Sequence, residues 1–230
     1  MNDHVHDLRS VREATARLLS AVAELDNAAL AGESHLPGWT RGHILAHVAR
    51  NADALVEVFE GRPMYVSATS READIARDAG RTLEEHLADL RDSGARFLAA
   101  TESAQDWSRP VELRNGVTDR AANVPFRRLI EIELHHVDLD IGYGLTDLSD
   151  EFTARETAFL ADRWSGRADV PPVTLTASDR DGVWRTGGAE GAPVTVSGPA
   201  AGLLGWLAGR GPGGAGLSTE GGPLPALPPL

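Results

Sequence analysis

The segment Arg127-Arg128-Leu129-Ile130-Glu131-Ile132-Glu133-Leu134-His135-His136-Val137-Asp138-Leu139 constrains this chain more than any other. Apolar residues recur in it at helical steps, and ionisable residues sit inside the same run. At about 100° per residue, Glu131, His135 and Asp138 fall on one narrow stripe, with Glu133, His136 and Asp140 opposite. Ile132, Leu134, Val137 and Leu139 separate the stripes, so only one of them is expected to face a helical interior. Periodicity does not say which. A run this apolar has little reason to carry such groups unless they bind something.

A Glu and a His four residues apart leave the same helix face one turn apart and can share a cation. A third ligand is available far upstream, in Gly38-Trp39-Thr40-Arg41-Gly42-His43-Ile44-Leu45-Ala46-His47. His43 and His47 are themselves one turn apart, so either can face inward. Two imidazoles and one carboxylate form a set that catalytic zinc uses, with positions left for water or substrate. Fe(II) or Ni(II) accept the same donors. The bland alternative is a solvated Glu–His pair and a histidine satisfied within the core. Spacing alone leaves that choice open.

Composition narrows the classes of function. A hydrophobic content of 42% over 230 residues supports a folded core. The net charge is −12 and the basic residues are scattered singly, which argues against a nucleic-acid footprint and against an anionic membrane surface. There is no cysteine, so any thiol chemistry needs an imported thiol. The polar start, Met1-Asn2-Asp3-His4-Val5-His6-Asp7, has no signal-peptide pattern. No apolar run approaches the roughly 20 residues of a membrane helix. A cytoplasmic protein is expected.

The first two-thirds reads as helices. Leu8, Val11, Ala14, Leu18, Val22 and Leu25 define one amphipathic face. A second helix is expected from Thr40, as N-cap, to about Glu60. A third follows the capping box of Thr82 and Glu85. A fourth spans Pro125 to Tyr143 and stops at Gly144, and a fifth runs from Glu151 to Trp164. The link from Gly61 to Gly80 reads as a long functional loop. After Arg167 the pattern changes to strands at Val173–Thr176, Val183–Thr186 and Pro193–Val196, then a short helix over Ala200–Ala208. The expected organisation is a metal-binding helical bundle over 1–166, a small α+β domain over 167–222 and a Pro-rich tail over 223–230.

Pro37-Gly38-Trp39-Thr40 with Ile44-Leu45-Ala46-His47-Val48-Ala49 resembles the opening of DinB-like four-helix metalloproteins. The segment Glu131–Leu139 resembles the second block of their mycothiol-dependent maleylpyruvate isomerase branch. Met64-Tyr65 with Arg71-Glu72-Ala73-Asp74-Ile75 resembles that branch's loop after the second helix. Leu203-Leu204-Gly205-Trp206-Leu207-Ala208-Gly209-Arg210 resembles the last helix of its sterol-carrier-like C-terminal domain. The resemblance implies an α+β chain with a DinB-like four-helix bundle and that small domain behind it. It implies His47, Glu131 and His135 as metal ligands, with Glu133 and His136 turned outward and His43 a neighbour.

The same resemblance implies zinc and mycothiol as cofactors. The metal lowers the thiol's pKa, the thiolate adds to a cis double bond, the bond rotates, and elimination leaves the trans product. Maleylpyruvate would thereby become fumarylpyruvate. Arg71 and Arg210 are expected to clamp substrate carboxylates, with Arg77 and Arg81 near enough to replace Arg71. The alternative for Arg210 is a basic residue near a helix C-terminus, followed by Gly211 as the terminating residue. Asp138 can orient His135 or form an ordinary helix ion pair, and Trp39 is expected to pack. Two other readings remain: a mycothiol S-transferase that stops after addition, and a non-catalytic metal-binding protein.

Overall fold

The computed structural model describes residues 4–104, 106–212 and 214–228. The chain divides into two compact units, Met1–Gly142 and Tyr143–Leu230.

The first unit is built on four long helices. These are α1 (His4–Ala23), α3 (Arg41–Phe59), α5 (Leu83–Glu102) and α6 (Val124–Asp138), with a short α2 (Asn27–Leu30) and α4 (Ala68–Asp78) between them. Helix α3 packs on α5 and α6, and α1 packs on the same two, which closes a four-helix ring. Val11, Ala14, Leu18 and Val22 of α1 are buried at the expected helical steps. Thr40 caps α3 by accepting from the His43 amide, and Thr82 and Glu85 form the capping box of α5. A small antiparallel hairpin, β1 (Pro110–Glu112) and β2 (Thr118–Arg120), lies between α5 and α6.

Two local features differ from the sequence reading. The expected loop between Gly61 and Gly80 contains α4, started by a Ser67–Ser70 capping box. Its signal is faint because only Ile75 and Asp78 of this helix are buried. Asp78 is held at 2.6 Å by Arg50 of α3 and at 3.0 Å by Arg81, and Arg77 also reaches it. Burial pushes the Asp78 carboxyl up, but these guanidiniums outweigh it and hold it below the ordinary range. Gly42 allows the same docking: a Cβ there would run into the carbonyl oxygen of Ala79 just after α4. Helix α6 also ends earlier than expected, at Asp138. Asp140 takes a left-handed φ of 53°, which a helix cannot continue.

The exposed carbonyls at the end of α6 are met by Arg41 at the start of α3. Its Nε donates to Leu139 O at 2.7 Å and its Nη2 to Asp140 O at 3.1 Å. The His35 amide donates to Asp138 O at 2.8 Å. The start of α3 thus lies against the end of α6, and the two helices run antiparallel.

The second unit contains α7 (Asp150–Trp164), β3 (Val173–Ala177), β4 (Val183–Thr186), β5 (Val194–Gly198), α8 (Ala200–Ala208) and β6 (Ser218–Glu220). The sheet order is β4-β3-β5-β6, with β3 and β5 parallel and the outer pairs antiparallel. Buried residues alternate along β3 and β5, as one-faced packing requires. The break between units falls after Gly142, so α7 does not extend the bundle. It lays Phe152, Leu160, Ala161 and Trp164 against α8 and β4, and Thr186 Oγ1 donates to Ala161 O at 2.6 Å. Helix α8 ends at Ala208 with Gly209 as a left-handed cap, two residues before the glycine the sequence suggested. Residues 224–228 of the Pro-rich tail form no helix or strand, and Pro229 and Leu230 lie outside the described residues. Among the described residues no helix is long and apolar enough to cross a membrane.

Asp78→Ala removes the carboxylate that Arg50, Arg77 and Arg81 share and leaves Arg50 with Asp53 and Asp89. It is expected to destabilise the first unit by about 2 kcal/mol, readable as a lowered urea midpoint.

Candidate metal centre

The antiparallel pairing of α3 and α6 sets the level of the site. At about 1.5 Å per residue, His47 lies roughly 9 Å along α3 from Arg41, while His135 and Glu131 lie roughly 6 and 12 Å back from Leu139. The three side chains therefore meet. His47 Nε2 is 3.0 Å from Glu131 Oε2, and His135 Nε2 is 3.3 Å from the same oxygen. One ligand atom from each residue lies within 4.8 Å of the others. His47 and His135 are buried, and the Glu131 side chain keeps 33% of its surface open.

The neighbouring histidines have other work. His43 accepts the Thr40 amide at 3.2 Å and contacts Thr40 Oγ1 at 2.8 Å, so it belongs to the cap of α3. Trp39 stacks on His43 and meets His47 edge-on with ring centroids 5.5 Å apart. Glu133 and His136 are not outward, contrary to expectation: they are 4% and 2% exposed. Helix α6 is covered on this second side by α1, whose Arg17 pairs with Glu133. An apolar helix between two partners buries both of its polar stripes.

Electrostatics sort the three cluster residues. Burial pushes the His47 imidazole down to about 4; the nearby His135 and Arg71 reinforce this, and Glu131 opposes it. Arg71 Nη2 sits 3.1 Å from His47 Nδ1. A guanidinium can only donate, so this Nδ1 accepts and Nε2 carries the proton towards Glu131. Burial also pushes His135 down, but Asp138 and Glu131 outweigh it and raise the imidazole above its ordinary 6.5. Glu131, despite the upward push of burial, is held well below the usual carboxylate range by His135 and His47. Asp138 is wholly buried and its Oδ2 lies 2.8 Å from His135 Nδ1. That contact fixes the ring so that Nε2 points at the cluster.

The donor set fits a divalent cation. Two imidazole nitrogens and a carboxylate converge, one imidazole is neutral at physiological pH, and the other is oriented by a buried aspartate. Without a cation, the carboxylate must be satisfied by protons on the rings. Zinc, iron and nickel all suit such donors.

Of the other residues expected at the site, Arg71 on α4 stands beside His47. Arg77 and Arg81 are committed to Asp78 and Asp89 instead. Arg210 follows the cap of α8 in the second unit, where its Nη1 donates to Ala208 O at 2.8 Å. Two groups near the cluster escaped the sequence reading of the site. Tyr65 lies close to Arg71, Glu131 and Arg114; burial raises its phenol, which Arg71 opposes. Tyr65 also lines a cleft of about 450 Å³ with Met64, Arg109, Leu113 and Arg114. His47, Glu131 and His135 are not in that cleft's wall. Arg128, one turn before Glu131, is 2% exposed, and burial lowers its guanidinium to about 10, still a cation at neutral pH. Only its charge inside an apolar stripe could have marked it.

A helical bundle holding a His–His–Glu cluster that could take a metal ion, followed by a small α+β unit, defines the two-part architecture of this chain. Residues 11–140 match the Mycothiol maleylpyruvate isomerase N-terminal domain, and residues 147–229 match the MDMPI C-terminal domain. The chain belongs to the mycothiol maleylpyruvate isomerase family. A crystal structure of the mycothiol-dependent maleylpyruvate isomerase is similar to it with a TM-score of 0.87 and 27% identity, covering 99% of this chain and 97% of that one. A histidine-to-alanine mutant of that isomerase superposes equally, with a TM-score of 0.87 and 26% identity over the same shares. A search of curated proteins finds no match.

Two outcomes are expected from this geometry. His135 is protonated below its raised pKa, and a cation must displace that proton. Metal affinity should therefore fall roughly tenfold per pH unit below that pKa and level off above it, in calorimetric zinc titrations between pH 5.5 and 8.5. Asp138→Asn should weaken zinc binding about 10- to 100-fold in a chelator competition, with the helical circular-dichroism signal unchanged.

Proposed function

We propose that this chain is a mycothiol-dependent cis–trans isomerase of a small unsaturated oxo-diacid, of the maleylpyruvate-to-fumarylpyruvate type. The convergence of His47, Glu131 and His135 within 4.8 Å, in a chain of this family, carries the proposal. A divalent cation at these donors, with zinc the first choice, would lower the pKa of an imported thiol and favour its nucleophilic thiolate.

His47, Glu131 and His135 would hold the cation, and Asp138 keeps the His135 ring aligned. Arg71, at 3.1 Å from His47 Nδ1, is placed to attract an anion towards the cluster. Arg210 is assigned to a substrate carboxylate by resemblance alone. Isomerisation leaves atoms and charge unchanged: the nucleophile's bond to carbon forms and later breaks, and the intervening single bond rotates. The residues therefore need to bind two anionic ends and exclude water more than to supply net protons. The lack of cysteine in the chain accords with a borrowed thiol.

Metal analysis followed by maleylpyruvate turnover with and without mycothiol tests this reading. The expected result is one zinc per chain and formation of fumarylpyruvate only with the thiol. His47→Ala and Glu131→Ala should each lose metal and turnover while remaining helical. A metal-loaded protein that joins the thiol to an electrophile without isomerising it would overturn isomerisation in favour of S-transfer. A closed metal site with neither reaction would make the chain a binding protein.

A further inference from the structure

The interior beside the candidate metal centre holds a cation with no carboxylate of its own. Arg128 reaches from α6 to α3, where its Nη1 donates to Val48 O and to Asn51 Oδ1, both at 2.8 Å. Among the described residues its Nε and Nη2 make no hydrogen bond and its guanidinium forms no ion pair. Arg128 is 2% exposed, so this unbonded edge lies in the interior, where Glu131 and Tyr65 act on it. The charged and titratable groups that act on it are Glu131, Tyr65 and Asp53.

Arg50, on the same α3, shows how this protein ordinarily treats an interior arginine. Its guanidinium is ringed by Asp53, Asp78 and Asp89 at 2.6–3.0 Å. Arg128 lacks that compensation, although removal from water makes an uncompensated charge costly. A guanidinium anchored by one nitrogen and unbonded along the other edge has the donors for a planar, two-oxygen anion. Arg71 is a poorer candidate for that fork, because its Nη2 is engaged with His47.

We propose that Arg128 is a ligand-binding residue of this site, taking one carboxylate of a small dicarboxylate through its Nε/Nη2 edge. The inference rests on the reading of the site given under Proposed function and assigns a specificity-determining residue to it. The anchor on Val48 and Asn51 fixes the fork in advance, so little side-chain freedom is lost on binding. A neutral electrophile would leave this cation without a partner and would be disfavoured.

Equilibrium binding without thiol tests it. Zinc-loaded protein is titrated calorimetrically with maleate, a cis dicarboxylate, and with isocrotonate, which has a methyl group in place of one carboxylate. Wild type is expected to prefer maleate. Arg128→Met should lose maleate affinity on the order of 30-fold, with isocrotonate affinity, zinc stoichiometry and helical signal unchanged. Arg128→Lys keeps the cation without the fork and should lose roughly tenfold; it carries the comparison if the methionine variant does not fold. Unchanged maleate binding in the variants would overturn the proposal. So would equal losses for both acids, which mark a merely structural arginine, or a wild type without preference for maleate. The measurement needs no turnover, so it stands apart from the isomerase reading. A maleate preference that depends on Arg128, in a protein without thiol-dependent isomerisation, would retire the reaction and keep the residue.

Discussion

Two imidazoles and a carboxylate packed between the same pair of helices are the constraint on which the first unit depends. Apolar contacts cannot satisfy them, so each needs a proton, a cation or a charged neighbour. Here Glu131 takes both rings, Asp138 takes the far side of His135, and Arg71 takes the far side of His47. This arrangement holds only while α3 and α6 keep their relative level. Arg41, bound to the last carbonyls of α6, keeps that level from the surface.

Arginines organise much of the remaining interior. Arg50, Arg77 and Arg81 gather Asp78 and Asp89, and so dock α4 against α3 and α5. Because α4 carries Arg71, a polar network away from the centre determines which cation stands beside His47. Arg17 pairs with Glu133 on the opposite side of α6, which lets that helix bury charge on two faces. Such networks contribute little net stability compared with apolar packing, but they discriminate strongly against misdocked helices, whose charges would be left unpaired.

Much of the local structure was legible in the sequence. The caps at Thr40 and at Thr82 with Glu85, the periodicity of α1 and the alternation of β3 and β5 depend on residues near one another in the chain. The ligand trio was legible through family resemblance, since spacing left His43 and His47 equivalent. Helix α4 was missed because it buries only Ile75 and Asp78, too little to leave an apolar period. The outward assignment of Glu133 and His136 failed because a single-faced helix was assumed, while α6 is covered from two sides.

The sequence by itself determined which residues share a stripe, because the helical step is a local property of the backbone. It placed Glu131, His135 and Asp138 on one line and ruled out thiolate ligands. Only the tertiary structure decided that His43 serves the cap of α3, that Arg77 and Arg81 are taken up by Asp78 and Asp89, and that Arg128 is interior with no ion pair among the described residues. Those outcomes depend on the level and rotation at which helices far apart in the chain meet, and that is set by packing and long-range charge pairing rather than by any local period.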